Sequence, residues 1–428
     1  EITVRDWSSD VCSSDLHNIG VMLPYSPMHY LLFDEGDIDT YVMTSANIPG
    51  EPMMIENKEI ILGVNDYSLV HNREILNRCD DSVIRFRNNE LSFIRRSRGY
   101  TPEPYKISSK CNDLNILALG PELDVTFSIA KSNMVYPSQH IGNTNKPKTL
   151  EFLKEAINNL EKITKINEFD IIACDMHPHF FTTKLASELA KKHDAEILKV
   201  QHHHAHSVAL ANDNNIDELI VIAADGVGYG SDDTIWGGEI LYTNIESFER
   251  LAHLQRQLMP GGDVATKYPA RMLASILDDE DLIKNYASYF KYGELEIKNI
   301  FKQIESGINV GVTTSTGRIL DSMEVALEIC HKRTYEGECS MKLESAAYYS
   351  TNNLEIPYEI KNNQLNTTEI LKEVVKLYQD GNKASDVAKA GQIAIARGLS
   401  ELAVNAADKK KINSIGATGD RKSTRLNS

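Results

Sequence analysis

The sequence predicts an α/β chain of globular type, and three observations carry that expectation. Short apolar runs bounded by polar residues, FDIIACD at 169–175 and LIVIAA at 219–224, have the length of buried strands. Between and around them lie segments of helical period; at 149–163, Leu150, Leu153, Ile157 and Leu160 fall on one face. A composition of 42% hydrophobic and 25% charged residues is that of an ordinary folded chain with a sizeable core. With 428 residues, two to four domains are expected.

The same totals narrow the function. A balance of 45 basic against 61 acidic residues, −16 in all, argues against a nucleic-acid surface over the whole chain, so no nucleic-acid partner is expected. The six cysteines stand at 12, 79, 111, 174, 330 and 339 without a CxxC pair. That spacing makes neither a disulfide framework nor a zinc ribbon and suits a reducing, cytoplasmic setting. No apolar run approaches the ~20 residues that span a bilayer, and no signal-peptide pattern opens the chain, so no membrane association is expected.

Taken in order, residues 1–16 are Ser/Asp-rich without periodicity, and they and the tail from Asp420 resemble translated adapter read-through. Both ends, 1–16 and 420–428, are read as non-native. From 17 to 105 short strands and helices follow: HYLLFDE, a strand Tyr41–Met43, a patch at 58–63, and the run from Ser82 to Tyr105. TSAN at 44–47 places Thr44, Ser45 and Asn47 in a strand-end loop able to hold phosphate oxygens, or in an ordinary polar turn. Ser82 with Arg95, Arg96 and Arg98 suits bidentate phosphate contacts or a plain basic cluster on an edge strand. Pro102 and Pro104 stiffen a joint, and 106–113 reads as a linker.

A new α/β pattern starts at 114. NILALG and VTFSIA read as a strand hairpin, the helix at 149–163 follows, and FDIIACD ends a strand in Asp175. His177 and His179 stand at i, i+2 and read as loop contacts rather than ligands. The run VQHHHAH at 200–206 opens a helix over 202–212, where His202 and His206 at i, i+4 can share one divalent metal while His203 and His204 point elsewhere. The strand 219–224 then ends in Asp225, a candidate third ligand. Gly226, Gly228 and Gly230 let backbone N–H groups approach an anion. An adventitious His patch beside a Gly-rich turn is the bland alternative. Further on, a glycine pair at 261–262 precedes an amphipathic helix, 281–310 is helical, and Gly317 and Asp321 open another helix. Glu336, Glu338 and Glu344 form a second acidic set able to hold ribose hydroxyls or to sit as solvated helix ends. A helix at 385–407 and a strand at 412–419 close the pattern.

Read together, these motifs resemble one family. LPYSPMHYLLF, VMTSANIPGEPM, HNREI, RCDDSV and RRSRGYTPEPY are similar to the second half of the YrdC-like domain of the HypF carbamoyltransferases, which mature nickel–iron hydrogenases. ALGPELDVTFSIA, SQHIGN, CDMHPHFFTT, QHHHAH, DGVGYG, WGGE, STGRILD and YEGECSMKLE follow in that family's order, and the resemblance covers about 17–419. It implies a partial YrdC-like α/β domain at 17–105, then a two-lobed domain of the sugar-kinase/actin type (ASKHA) at 114–419, truncated at its C-terminus. It implies further that ATP and carbamate from carbamoyl phosphate form carbamoyl-adenylate. The carbamoyl group would then pass to the C-terminal cysteine of HypE, for the cyanide ligands.

Under the resemblance, His202, His206 and Asp225 are catalytic metal ligands, for zinc or iron. Thr44, Ser45, Asn47, Ser82, Arg95, Arg98, Gly226, Gly228, Tyr229, Gly230, Gly237, Gly238, Glu239, Gly317, Asp321 and Glu338 are nucleotide-binding. The pattern departs from the family where the acylphosphatase and zinc-finger domains, the first YrdC-like half, the last ligand aspartate and a Gly-Gly-Val turn should stand. Weak nucleotide binding without turnover is therefore expected of this chain. An O-carbamoyltransferase, a tRNA threonylcarbamoyl-transferase of the same fold and a non-catalytic docking fragment stay open.

Overall fold

The computed structural model describes residues 16–419 apart from 37, 49, 62–64, 88 and 108–113. The two ends read as non-native, save Leu16, and most of the linker lie outside the described residues. The chain divides into two units, Asn18–Lys199 and Val200 onward, the second including His17.

In the first unit, α1 (Pro27–Glu35) starts where the Ser26 hydroxyl accepts from the His29 N–H, with proline in the first turn. A short α2 (Asn57–Ile61) follows, and then the antiparallel pair β1 (Val83–Arg87) and β2 (Glu90–Arg95). Tyr41–Met43, expected as a strand, forms no strand among the described residues. Val42 and Met43 stay exposed, so no buried face holds the segment in a ladder.

A six-stranded sheet is built from β3 (Tyr105–Lys106), β4 (Asn115–Leu119), β5 (Phe127–Lys131), β6 (Met134–Pro137), β7 (Ile171–Asp175) and β8 (Glu196–Val200), in the order β3-β6-β5-β4-β7-β8. The expected hairpin is β4–β5, with Leu119 opposite Phe127, and β7 runs parallel to β4. Helices α3 (Pro147–Thr164) and α4 (Phe181–His193) are amphipathic. From α3, Phe152, Leu153, Ile157 and Leu160 join Leu117, Ile129 and Ile172 of the sheet in one core.

The second unit runs α5 (His202–Asp213), β9 (Glu218–Tyr229), β10 (Ile235–Asn244), β11 (Phe248–Leu254), β12 (Gln257–Pro260), α6 (Asp263–Lys267), α7 (Ala270–Leu277), α8 (Glu280–Ile283), α9 (Gly293–Ser306) and β13 (Val310–Thr313). It continues with α10 (Thr316–Ala326), α11 (Glu338–Tyr348), β14 (Ile360–Lys361), β15 (Gln364–Leu365), α12 (Thr367–Gln379), α13 (Ala384–Lys410) and β16 (Ile415–Thr418). Its eight strands form one sheet. In it β9 lies between β10, to which it is antiparallel, and β16, to which it is parallel. With neighbours on both edges and α5, α10 and α13 packed against it, β9 buries every residue from Leu219 to Asp225.

Sequence reading ended this strand at Asp225. It runs on to Tyr229, because Gly228 and Tyr229 pair with Trp236 and Ile235. The register shifts between Trp236 and Gly238, so residues 225–227 bulge opposite Gly237. The α10 helix is buried along its whole length and starts at Ser315, whose Oγ accepts from the Arg318 N–H at 3.2 Å. Among the described residues no helix is long and apolar enough to cross a membrane.

Candidate metal centre

Two local features aim three side chains at one point. Gln201 caps α5 through its side-chain oxygen, which accepts from the His204 N–H at 2.9 Å and fixes where the helix begins. The bulge in β9 turns Asp225 toward that first turn. His202 Nε2 then lies 3.0 Å from Asp225 Oδ2, and His206 Nε2 lies 3.2 Å from His202 Nε2 and 3.7 Å from Asp225 Oδ2. Donors on a tetrahedral zinc, at bonds of about 2.0–2.1 Å, stand about 3.4 Å apart, so the donor set has the right spacing and chemistry for such a cation.

The electrostatics suit a cation as well. Burial and the neighbouring His202 hold His206 down at about 4, against the pull of Asp225, so its imidazole is neutral at neutral pH. Burial works to raise the Asp225 carboxyl, but the hydrogen bond from His202 and the three imidazoles outweigh it and hold the group far below the usual carboxylate range. Its Oδ1 also accepts from the Gly226 N–H at 2.6 Å.

His203 departs from expectation. It does not point away: fully buried, it brings Nε2 to 3.6 Å from Asp225 Oδ2 while Nδ1 meets Gln201 Nε2 at 3.1 Å. The first turn of α5 faces β9 squarely, so a residue one step round the helix still meets the strand. His204 does turn aside, to the Asn244 carbonyl at 2.9 Å. His177 and His179 are loop residues, with His177 stacked on Phe180 at 3.9 Å between ring centroids.

The glycines expected to cradle an anion mostly serve close packing. A Cβ on Gly228 would enter the His203 imidazole, and one on Gly230 the Trp236 indole. On Gly238 it would meet Leu254, and on Gly237 it would stand 2.6 Å from the Asp225 carbonyl. Gly317 lets α10 approach β9, where an added Cβ would lie 3.0 Å from Gly226 Cα. Ser315 Oγ donates to the Gly226 carbonyl at 2.6 Å, closing the same seam.

Several carboxylates expected at a nucleotide are committed to internal partners. Glu239 is fully buried; it takes Arg250 Nε at 2.6 Å, the Thr314 hydroxyl, and the Gly237 and Gly238 N–H groups at 3.2 and 3.3 Å. It has no surface to offer a ligand, because Arg250, Thr314 and the Gly237–Gly238 backbone close around the carboxylate. Asp321 pairs with Arg318 at 2.7 Å, and Glu338 with Lys342 at 2.8 Å and the Thr334 hydroxyl at 2.8 Å. Tyr229 donates to Asp233 at 2.5 Å. A cavity of about 500 Å³ bordered by Asp232, Trp236, Arg250 and Arg256 includes none of the three metal-ligand candidates.

In the first unit the sequence-predicted phosphate ligands also hold the fold. Ser45 Oγ donates to Asn47 Oδ1 at 2.6 Å, and Asn47 Nδ2 ties the loop at the Glu51 carbonyl, leaving Thr44 exposed beside them. Ser82 donates to the Arg98 carbonyl at 2.8 Å, Arg98 reaches Asp81 at 3.3 Å, and Arg95 lies 3.7 Å from Asp80. His140, which sequence reasoning passed over, bridges Asp80 at 2.9 Å and Asp124 at 3.3 Å.

Comparison with known proteins places this geometry. Residues 221–420 match the family model "Carbamoyltransferase, Kae1-like Domain, second subdomain", 112–213 match "HypF Kae1-like domain", and 3–97 match the Sua5/YciO/YrdC model described as "Telomere recombination". A probable carbamoyltransferase HypF of Methanocaldococcus jannaschii is 47% identical over 95% of this chain and 54% of its own length. Carbamoyltransferase HypF2 of Cupriavidus necator is 36% identical over 77% and 43%. The crystal structure of T. kodakarensis HypF superposes with a TM-score of 0.88 at 42% identity, over 95% of this chain and 55% of that one. A full-length HypF in the phosphate- and nucleotide-bound form superposes with a TM-score of 0.90 at 32% identity, over 97% and 65%. The chain thus spans about half the length of the curated relatives it matches. Its fold is α/β throughout, with a YrdC-like part and Kae1-like lobes of the ASKHA type, and the chain belongs to the HypF carbamoyltransferase family.

Proposed function

We propose that this chain carries a carbamoyl-transfer site in which His202, His206 and Asp225 hold a divalent metal, zinc or iron(II). The acyl donor is carbamoyl-adenylate made from ATP and carbamoyl phosphate-derived carbamate, and the acceptor is the C-terminal cysteine of HypE, as the family resemblance implies. One observation carries the reading: two imidazole Nε2 atoms and a buried carboxylate converge, with separations of 3.0, 3.2 and 3.7 Å. A cation bound there supplies Lewis acidity toward the acyl or phosphate oxygen.

The chain's own groups do the rest. His206 offers a lone pair without first losing a proton, since its pKa lies at about 4. Asp225 stays ionised, and the His202 Nε2 that meets it at 3.0 Å would turn its lone pair to the shared cation. Among the described residues Cys174, Cys330 and Cys339 are buried, Cys79 is half-buried, and none belongs to the donor set of His202, His206 and Asp225, which supports a thiolate supplied by a partner.

The test measures bound metal and carbamoyl transfer from supplied carbamoyl-adenylate to a HypE tail peptide. H206A and D225N should lose metal and transfer together, by about 10–100-fold or more on the scale of metal-site losses. H203Q should keep its metal. Full metal content in both H206A and D225N would refute the assignment.

A further inference from the structure

A second cluster lies where α10 gives way to α11. Glu324 on α10, Cys330 in the following turn and Cys339 on α11 bring one carboxylate oxygen and two sulfur atoms within 4.8 Å of one another. Glu324 and Cys339 are 0% exposed and Cys330 is 6% exposed. Among the described residues neither oxygen of Glu324 meets a hydrogen-bond partner in good geometry, although the Cys339 thiol approaches the carboxyl. A carboxylate sealed from water without partners is strongly unfavourable unless it is protonated or faces a cation.

The sulfur positions speak for the cation. Cys330 Sγ and Cys339 Sγ are 3.9 Å apart. Two thiolates on a tetrahedral zinc, each at about 2.3 Å, stand about 3.8 Å apart. A weak S–H···S contact would account for that spacing, but it leaves the carboxyl sealed in the same enclosure without a strong donor.

We propose that Glu324, Cys330 and Cys339 form a second, structural metal site for a thiophilic divalent cation, zinc before magnesium or calcium. Soft thiolates select against the hard cations, and binding releases the thiol protons to solvent. Three protein ligands leave zinc's fourth position for a water. The ion would tie the end of α10 to the first turn of α11 and hold in place the turn that carries Glu338. This site shares no residue with His202, His206 and Asp225, so either can fail alone.

The test titrates cobalt(II) anaerobically into the metal-free full chain. Thiolate ligation gives a sulfur-to-cobalt charge-transfer band in the near ultraviolet, which a site of two imidazoles and a carboxylate cannot produce. One equivalent of that band is expected in the wild type and in H202A/H206A, with loss in C330S and C339S. E324Q, nearly isosteric and retaining both thiols, should bind cobalt at least tenfold more weakly; it decides the matter if a cysteine variant fails to fold. No thiolate band from folded wild-type chain, or a band unchanged in both C330S and E324Q, overturns the proposal. So does a Cys330–Cys339 disulfide in chain purified under reducing conditions.

Discussion

Replacing Glu239 separates a residue that holds the fold from one that holds a nucleotide. Its carboxylate is fully buried, pairs with Arg250 at 2.6 Å, and accepts from the Thr314 hydroxyl and from two backbone N–H groups. Glu239→Ala leaves all of these without their acceptor at once. Arg250 keeps Asp232 at 3.1 Å, which softens the loss, but the Gly237 and Gly238 N–H groups are buried. Breaking a buried ion pair on one side costs about 3–5 kcal/mol, and each orphaned buried donor adds to it. At about 2–4 °C per kcal/mol for a body of this size, the second unit should melt roughly 6–20 °C lower. Scanning calorimetry reads that shift, and nucleotide titration of folded protein reads the alternative. A melting temperature within a degree or two of wild type, together with lost ATP binding, would refute the structural role and restore Glu239 as a ligand.

Two other perturbations follow from the same geometry. Gly228→Ala drives a Cβ into the fully buried His203 ring, 2.9 Å from Nδ1; overpacking of this kind costs about 1–3 kcal/mol, read as a lower denaturation midpoint with an unchanged m-value. Burial would lower the pKa of His140, but the hydrogen bonds to Asp124 and Asp80 outweigh it and raise it above the ordinary 6.5. The folded state therefore binds the proton more tightly than the unfolded one. That stabilisation is complete below pH 6.5 and fades as pH rises through the folded-state value. His140→Gln should cost about 1.5–3 kcal/mol at pH 6 and progressively less in alkaline buffer; a cost that grows with pH would show that the imidazole is neutral in the fold.

Much of the site was legible in the chain itself. Side-chain direction on a helix is set by sequence spacing, so His202 and His206 at i, i+4 had to share a face, and Asp225 closed a strand-like run beside them. The alternation of apolar runs and helical periods likewise required an α/β body, and 115–119 with 127–131 paired as their turn and pattern demanded. Three things were decided only by tertiary structure. Whether β9 stops at Asp225 depends on Trp236 and Ile235 being there to pair with its continuation, a contact that no local pattern announces. Whether Glu239 faces a ligand or an arginine depends on β11 bringing Arg250, and the end of β13 bringing Thr314, to its carboxylate. Finally, Glu324, Cys330 and Cys339 follow no metal-binding spacing. It is the packing of α10 against α11 that brings them within reach of one another, because local geometry sets where a side chain points and only the fold sets what it meets.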